Sequence, residues 1–381
     1  MPRSRTETTR PDRGCCLFVE KKKTNHTPNE KSFTLKRVIM WLKKNSEVVR
    51  TKVGLAYNVQ RGVRPDVEDW EAEYDSMEVV MDIKQSIESG GHEVVLMEAI
   101  PEKFIPTLLT EKVDIVYNFA EGTFGRAREA QVPAILSFYG IPYTGSDATT
   151  LAVCLDKALT KQVLLSKDIR TPRFQVIRSL DEKLRKNMRF PLILKLNAEG
   201  SSKGISDTGL VHDMVEYRRE LERLFETYNE PVLVEEYIRG REFTIGVLQE
   251  GNKYKVLPIM EIHFKHGKEF YSYKVKKNSD YYVDYTCPAK IDPALERKLT
   301  NMAIKICKSL DIKDVARIDL RVSQEDGNPY FLEINPLPGM VRGFSDLPRI
   351  AETAGYTYEE LVLHILENAM QRYGLKTPIH A

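Results

Sequence analysis

Charged and amide side chains alternate along two neighbouring predicted strands in the last third of the chain. Asp319 lies on the first strand, and Glu333 and Asn335 lie on the second. Side chains two residues apart point to the same face of a sheet, so the three can converge if the strands pair as a hairpin. Two carboxylates and one amide oxygen form an incomplete shell of hard ligands, which suits a magnesium ion that also binds water and nucleotide phosphates. The sequence therefore predicts a magnesium site here, at which manganese could substitute.

Acidic residues on a hairpin can also simply face solvent. Here the strand residues between them are apolar, for example Ile318, Leu320 and Ile334, so one face of the hairpin belongs to a core. The other face carries a dense polar set that includes Arg317. This context favours a site over a solvated surface.

The segment from Glu199 to Gly204 contains two glycines and two serines. Such a segment can turn its backbone N–H groups toward phosphate oxygens at little steric cost. A glycine–serine loop can equally be a flexible connector, and a single lysine is most often a surface residue. Lys157 near a predicted helix start and Lys195 on a predicted strand could, however, clamp a triphosphate together with the loop.

Three folded regions are predicted to position these residues. Between residues 51 and 150 strands and helices alternate, beginning with the apolar run from Val53 to Tyr57, which is typical of an open α/β domain. Residues 151–230 are predicted to form a small α+β unit that carries the glycine loop. Residues 231–375 are predicted to form a second α+β unit that carries the hairpin. The predicted fold class is therefore multidomain, with α/β and α+β parts.

Residues 1–50 are predicted to be a disordered basic tail, because they are rich in Arg and Lys and lack sustained apolar periodicity. Such a tail could contact RNA or an acidic lipid surface. The favoured interpretation is a solvated extension, or a sequence that has been started too early, upstream of a true start at Met40. The net charge of the 381 residues is only +2 and this tail is basic, so the rest of the chain is mildly acidic and is not predicted to bind nucleic acid. No apolar run approaches the roughly 18 residues of a membrane span, and a cytoplasmic protein is expected.

Several short motifs follow one another in a fixed order: Gly140–Ser146, Asp156–Lys157, Lys195 with Glu199–Gly204, Val234–Ile238 with Glu242–Thr244, and Arg317–Asp319 with Glu333–Met340. Each is weak alone, but the ordered set resembles the ATP-grasp superfamily, and within it the D-alanine–D-alanine ligase branch, over roughly residues 51–375. The resemblance implies an ATP-grasp fold preceded by an N-terminal open α/β domain, the pre-ATP-grasp domain.

The resemblance also implies an activity, in which ATP activates a carboxylate as an acyl phosphate and an amine then attacks it. Magnesium would be held by Asp319, Glu333 and Asn335. Catalysis would depend on Arg317 at the oxyanion, with Lys276 and Ser201 at the phosphates. ATP would be bound by the two lysines, the serine loop, the adenine hinge and a ribose carboxylate, which are Lys157, Lys195, Ser201, Ser202, Glu235, Glu236, Tyr237, Ile238 and Glu242.

The segments that contact substrates depart from the family pattern. Tyr74 occupies the position of the glutamate that takes the first ammonium, although Glu73 and Asp75 adjoin it. Arg126 and Arg128, in the segment that replaces a His-Gly-rich loop, could recognise a carboxylate, and Arg342 lies in the segment after the hairpin where the family holds the second amino acid. Small-molecule carboxylate and amine substrates are therefore expected, amino acids among them. A nucleotide-binding protein without ligase turnover and a phosphotransferase remain alternatives, and a homodimer is a family-level expectation.

Overall fold

The computed structural model describes residues 50–64 and 66–376, which form three β-sheets with helices packed against them. Apart from Arg50, the predicted basic tail lies outside the described residues. Among the described residues, no helix is both long and apolar enough to cross a bilayer.

The N-terminal sheet is parallel, as the alternation of strands and helices predicts. Its strands run in the order β2-β1-β3 and are β1 (Lys52–Tyr57), β2 (Glu93–Glu98) and β3 (Ile115–Phe119). Helices α1 (Met77–Ser89), α2 (Phe104–Glu111) and α3 (Gln131–Tyr139) accompany them. Gly140 ends α3 in the left-handed conformation, with a φ of 67°, which glycine adopts without steric cost.

The central sheet is antiparallel and carries the glycine loop between two of its strands. Its order is β4-β7-β5-β6, and its strands are β4 (Phe174–Ile177), β5 (Leu192–Leu196), β6 (Leu210–Val211) and β7 (Val232–Glu236). Because β7 pairs with β4 and β5, this sheet extends across the boundary predicted at residue 230. The division of the chain into domains stays a prediction.

The C-terminal sheet has six strands in the order β11-β10-β8-β12-β13, with β9 paired to β8. The strands are β8 (Gly240–Glu250), β9 (Lys253–Val256), β10 (Met260–Phe264), β11 (Val283–Thr286), β12 (Val315–Ser323) and β13 (Pro329–Asn335). Apolar residues of this sheet form one core with residues of three helices, α4 (Ala148–Leu155), α5 (Lys157–Leu165) and α9 (Pro293–Ser309). The remaining helices are α6 (Met214–Tyr228), α7 (Tyr273–Lys277), α8 (Ser279–Tyr282), α10 (Asp346–Thr353) and α11 (Tyr358–Arg372).

A fully buried carboxylate joins distant parts of the chain. Asp314, next to the first residue of β12, accepts hydrogen bonds from the Gly145 amide at 2.7 Å, Asn368 Nδ2 at 2.6 Å and Arg372 Nη2 at 2.7 Å. The loop after α3, the large sheet and the last helix are therefore held at one point.

Candidate active site

The hairpin β12–β13 brings the predicted metal ligands together. Its register sets Asp319 opposite Glu333 and Arg317 opposite Asn335. Arg317 Nη2 lies 3.0 Å from Asp319 Oδ2 and 3.9 Å from Glu333 Oε1. The alternation in the sequence thus predicts this convergence correctly, since it needs only the period of a strand and one hairpin.

The two opposed carboxylates differ in their readiness to ionise. Burial raises the pKa of Asp319 to about 6, with Arg317 acting against that rise and Glu333 adding to it. Burial also disfavours the charged form of Glu333, but the nearby cations, Lys157 and Lys195 foremost, bring its pKa down to about 2. Carboxylates this close repel each other, so a bound cation would favour both charged forms.

A separate observation, on the side chain of Asn335, also indicates that these residues could bind a magnesium ion. The buried Nδ2 of Asn335 has no hydrogen-bond partner among the described residues, and buried polar atoms without partners are rare. A half-turn of the amide exchanges this nitrogen for its oxygen. Asp319, Glu333 and Asn335 would then offer three hard oxygen donors from adjacent strands.

Lys157 links the hairpin to the glycine loop. Asp156 caps α5 by accepting the Leu159 amide at 2.9 Å, which fixes Lys157 as the first helical residue. Lys157 Nζ lies 3.7 Å from Glu333 Oε2 and donates to the backbone carbonyl of Glu199. One ammonium group therefore lies between the candidate metal ligands and the candidate phosphate loop.

A buried triad of charges supports the second predicted lysine. Lys195 Nζ forms an ion pair with Glu235, and Lys161 Nζ lies 2.7 Å from the other oxygen of the same carboxylate. Burial would raise the pKa of Glu235, but the two ammonium groups lower it below its ordinary value. Lys161 is fully buried and was not predicted. A signal was present, because Lys157 and Lys161 lie four residues apart on one face of a helix.

The predicted adenine hinge follows β7. Glu236 Oε1 accepts the Arg189 amide at 3.0 Å, and the Tyr237 hydroxyl donates to the Glu269 carbonyl at 2.6 Å. Both residues line the same cleft as Ile238 and Glu242. The apolar side chains of Ile193 and Leu332, from two different sheets, line this cleft as well. The carboxylate of Glu242 forms an ion pair with Arg321, whose guanidinium carbon lies 4.7 Å from the centre of the Tyr237 ring. The carboxylate of Glu235, by contrast, forms ion pairs with Lys161 and Lys195 and does not face the predicted position of the adenine.

The glycine loop has a backbone conformation that few sequences adopt. Ser201 and Ser202 are both left-handed, with φ of 50° and 58°, which is unfavourable for residues with a side chain. Gly204 has a φ of 77°, and a Cβ there would lie 2.8 Å from Leu196 Cγ, so only glycine fits. The Gly200 amide donates to Glu73, and both serines line the cleft.

Lys276 and Arg317 form the cationic end of the cleft. Burial lowers the pKa of Lys276, and the charge of Arg317 lowers it further. No carboxylate among the described residues lies within ion-pair distance of Lys276. The charges of Asp346, Glu333 and Asp319, which lie further away, raise its pKa without cancelling the effect of burial.

Comparison with known proteins supports the same interpretation. The family model described as "D-ala D-ala ligase C-terminus" matches residues 163–367. The D-alanine–D-alanine ligase of Janthinobacterium sp. is 35% identical over 288 residues, which are 73% of this chain and 85% of that protein.

The chain belongs to the D-alanine–D-alanine ligase family. Two solved structures are also similar to this chain. The D-alanine–D-alanine ligase of Bacillus anthracis, complexed with ATP, has a TM-score of 0.66 and 25% identity over 85% of this chain and 99% of its own. The VanG D-Ala:D-Ser ligase of Enterococcus faecalis has a TM-score of 0.66 at 20% identity over 84% of this chain and 99% of its own, and shows the fold alone. The predicted ATP-grasp fold and family are confirmed, and the protein is an ATP-dependent ligase that forms an amide bond.

The residues in which this D-alanine–D-alanine ligase family member departs from the pattern are only partly in the cleft. The Tyr74 hydroxyl donates to the Gly122 carbonyl at 3.0 Å. Three carboxylates that line the cleft, Glu73, Glu121 and Glu129, lie within 4.8 Å of one another. The last two were not predicted, because the sequence gives no reason to bring them beside Glu73. The guanidinium of Arg128 forms ion pairs with Glu73 and Glu199, so protein carboxylates already occupy the group that was predicted to recognise a substrate carboxylate.

The prediction that Arg342 belongs to the second substrate site is wrong. Its guanidinium forms an ion pair with Glu359 at 2.6 Å, lies 3.9 Å from Asp82 and covers the Tyr358 ring at 4.2 Å. Arg342 therefore connects α11 with α1. Its neighbours Val341 and Phe344 line the cleft in its place.

Proposed function

We propose that this ligase joins two amino acids in a magnesium-dependent reaction that passes through an acyl phosphate. The observation that carries the proposal is the meeting of four cationic side chains around one carboxylate pair in a single cleft. The pair is Asp319 and Glu333, and the cations are Lys157, Lys195, Lys276 and Arg317. D-alanine is the first substrate to test, because the similar proteins are named for it.

The cations answer the main obstacle to carboxylate activation. A carboxylate becomes a good electrophile only when one oxygen is turned into a leaving group, and ATP supplies the phosphoryl group for this. The transfer brings two anions together, so Lys157 and Lys195 would reduce the repulsion at the phosphates. When bound by Asp319, Glu333 and Asn335, magnesium would neutralise further charge on the phosphate oxygens.

The second half of the reaction needs protection from water and a stabilised oxyanion. The Ser201–Ser202 loop would close over the phosphates and keep water from hydrolysing the acyl phosphate. When the amine attacks, negative charge develops on the carbonyl oxygen, and Arg317 would offset it from the sheet beside Lys276. Phosphate then leaves with the oxygen that came from the carboxylate.

The test is ADP release by the purified protein with ATP and magnesium, against L- and D-amino acids singly and in pairs. Mass spectrometry identifies the products, and manganese replaces magnesium in a parallel series. ADP together with a new dipeptide supports the proposal and names the substrates. ADP release with one amino acid and no amine product would indicate a phosphotransferase, and ATP binding without any ADP a silent binder. The homodimer and the cytoplasmic location stay predictions from the sequence.

A further inference from the structure

The segment between β1 and α1, residues 66–75, packs onto the central sheet. The side chains of Val67 and Trp70 lie against the apolar core that this sheet shares with α6. Lys203 Nζ, at the end of the glycine loop, lies 4.7 Å from the centre of the Trp70 ring. The segment therefore reaches the candidate phosphate loop from the N-terminal part of the chain.

Asp69 is the polar centre of this contact. Its buried carboxylate accepts the Gly204 amide at 2.8 Å with one oxygen and the Tyr228 hydroxyl at 2.6 Å with the other. Tyr228 is the last residue of α6, so the helix holds the carboxylate in place. The carboxylate in turn fixes the glycine at which the loop ends.

The contacts of the loop divide its amides into two groups. The amides of Gly200 and Gly204, at the two ends, donate to carboxylates of the 66–75 segment. The amides of Ser201 and Ser202 have no hydrogen-bond partner among the described residues. These two serines are also the residues in the unfavourable left-handed conformation, which persists only when surrounding contacts hold it. Consecutive free amides in such a turn are suited to bind an anion.

We propose that Asp69 is a positioning residue for ATP, which acts through Gly204 to hold the two serine amides in a phosphate-binding conformation. Asp69 itself does not line the cleft. Its contribution is to ATP affinity, because it keeps in the free protein the loop shape that the phosphates need. The inference rests on the proposed nucleotide site.

The test measures ATP binding by isothermal titration calorimetry with magnesium and without amino acids. Asp69→Ala should weaken ATP binding about tenfold or more, the effect of one lost hydrogen bond to a charged group. Asp69→Asn should stay within about threefold of the wild type, since an amide can accept from Gly204 and donate to the Tyr228 oxygen. In turnover, KM for ATP should rise in Asp69→Ala while KM for the carboxylate substrate does not.

Two further variants separate the role of Asp69 from general effects of mutating the segment. Asp66→Ala is the matched control, because Asp66 lies in the same segment, is exposed and pairs with Arg64; its ATP affinity should equal that of the wild type. Tyr228→Phe leaves Asp69 in place without its support and should weaken binding about threefold. It decides the matter if Asp69→Ala fails to fold.

Wild-type affinity in folded Asp69→Ala, or in Tyr228→Phe when Asp69→Ala does not fold, overturns the positioning role. It leaves the proposed function intact. Absence of ATP binding by the wild type would instead contradict the nucleotide site itself, so the two failures are distinguishable.

Discussion

Lys161→Met tests the buried triad that supports Lys195. Lys161 Nζ lies 2.7 Å from Glu235 Oε1 and donates to the Leu332 carbonyl at 2.7 Å and to the Thr171 hydroxyl at 3.0 Å. Methionine has a similar length, so the change removes the charge and its hydrogen bonds with little loss of packing. Removing one charge from a buried network of this kind costs about 3 to 5 kcal/mol, because Glu235 keeps only Lys195 as a partner and the buried Leu332 carbonyl loses its donor.

The expected change in melting temperature follows from the size of the chain. Unfolding entropy is about 2.1 cal/mol/K per residue, which gives about 0.7 kcal/mol/K for roughly 330 folded residues and a decrease of about 4 to 7 °C. Scanning calorimetry measures it. The matched control is Lys84→Met, because Lys84 pairs with Glu88 one turn further along the surface of α1; such a pair contributes about 0.2 to 0.5 kcal/mol, so the decrease should stay below about 1 °C. A Lys161→Met variant that melts within 1 °C of the wild type would refute the reasoning.

Three further predictions concern the stability of the fold, its dependence on pH, and the role of Arg342. Asp314→Ala should lower the unfolding free energy by about 3 to 5 kcal/mol in urea denaturation, since three donors including Arg372 lose a buried acceptor; a loss below 1 kcal/mol would contradict this. Burial raises the pKa of Asp75 from 3.8 to about 6, so the folded protein binds this proton more tightly than the unfolded chain does. The free energy of unfolding therefore decreases as the pH rises from 4 to 6 and Asp75 ionises. Asp75→Asn should therefore raise the melting temperature at pH 7 but not at pH 4, and equal shifts at both would contradict the assignment. Arg342→Ala should leave the ratio of kcat/KM between amino acids unchanged, because Arg342 pairs outside the cleft, and a changed ratio would restore it to the substrate site.

The features predicted from the sequence are those that depend on local pattern. The hairpin with Asp319 and Glu333 follows from alternation along two short strands joined by a turn. Lys157 is predicted near a helix start, and the structure has it as the first residue of α5. These arguments require no knowledge of which helix packs on which sheet.

The features that were missed depend on contacts between distant elements. Lys161 shares a helix face with Lys157, but its full burial arises only because α5, β7 and β13 meet. The resemblance puts Arg342 in the segment that holds the second amino acid, whereas its charge is balanced by Glu359 on a later helix. Likewise, nothing near Asp69 in the sequence shows that it will accept the Gly204 amide. Long-range pairing of charges is not readable from spacing alone.

The fate of the carboxylate oxygens tests the central claim most directly. An amino acid labelled with ¹⁸O at both carboxylate oxygens is incubated with ATP, magnesium, the amine substrate and the enzyme, and the products are analysed by mass spectrometry. An acyl phosphate requires that one labelled oxygen appear in the released inorganic phosphate and the other remain in the amide carbonyl. Dipeptide formed with unlabelled phosphate would contradict activation through an acyl phosphate, and with it the role assigned to the cations of the cleft.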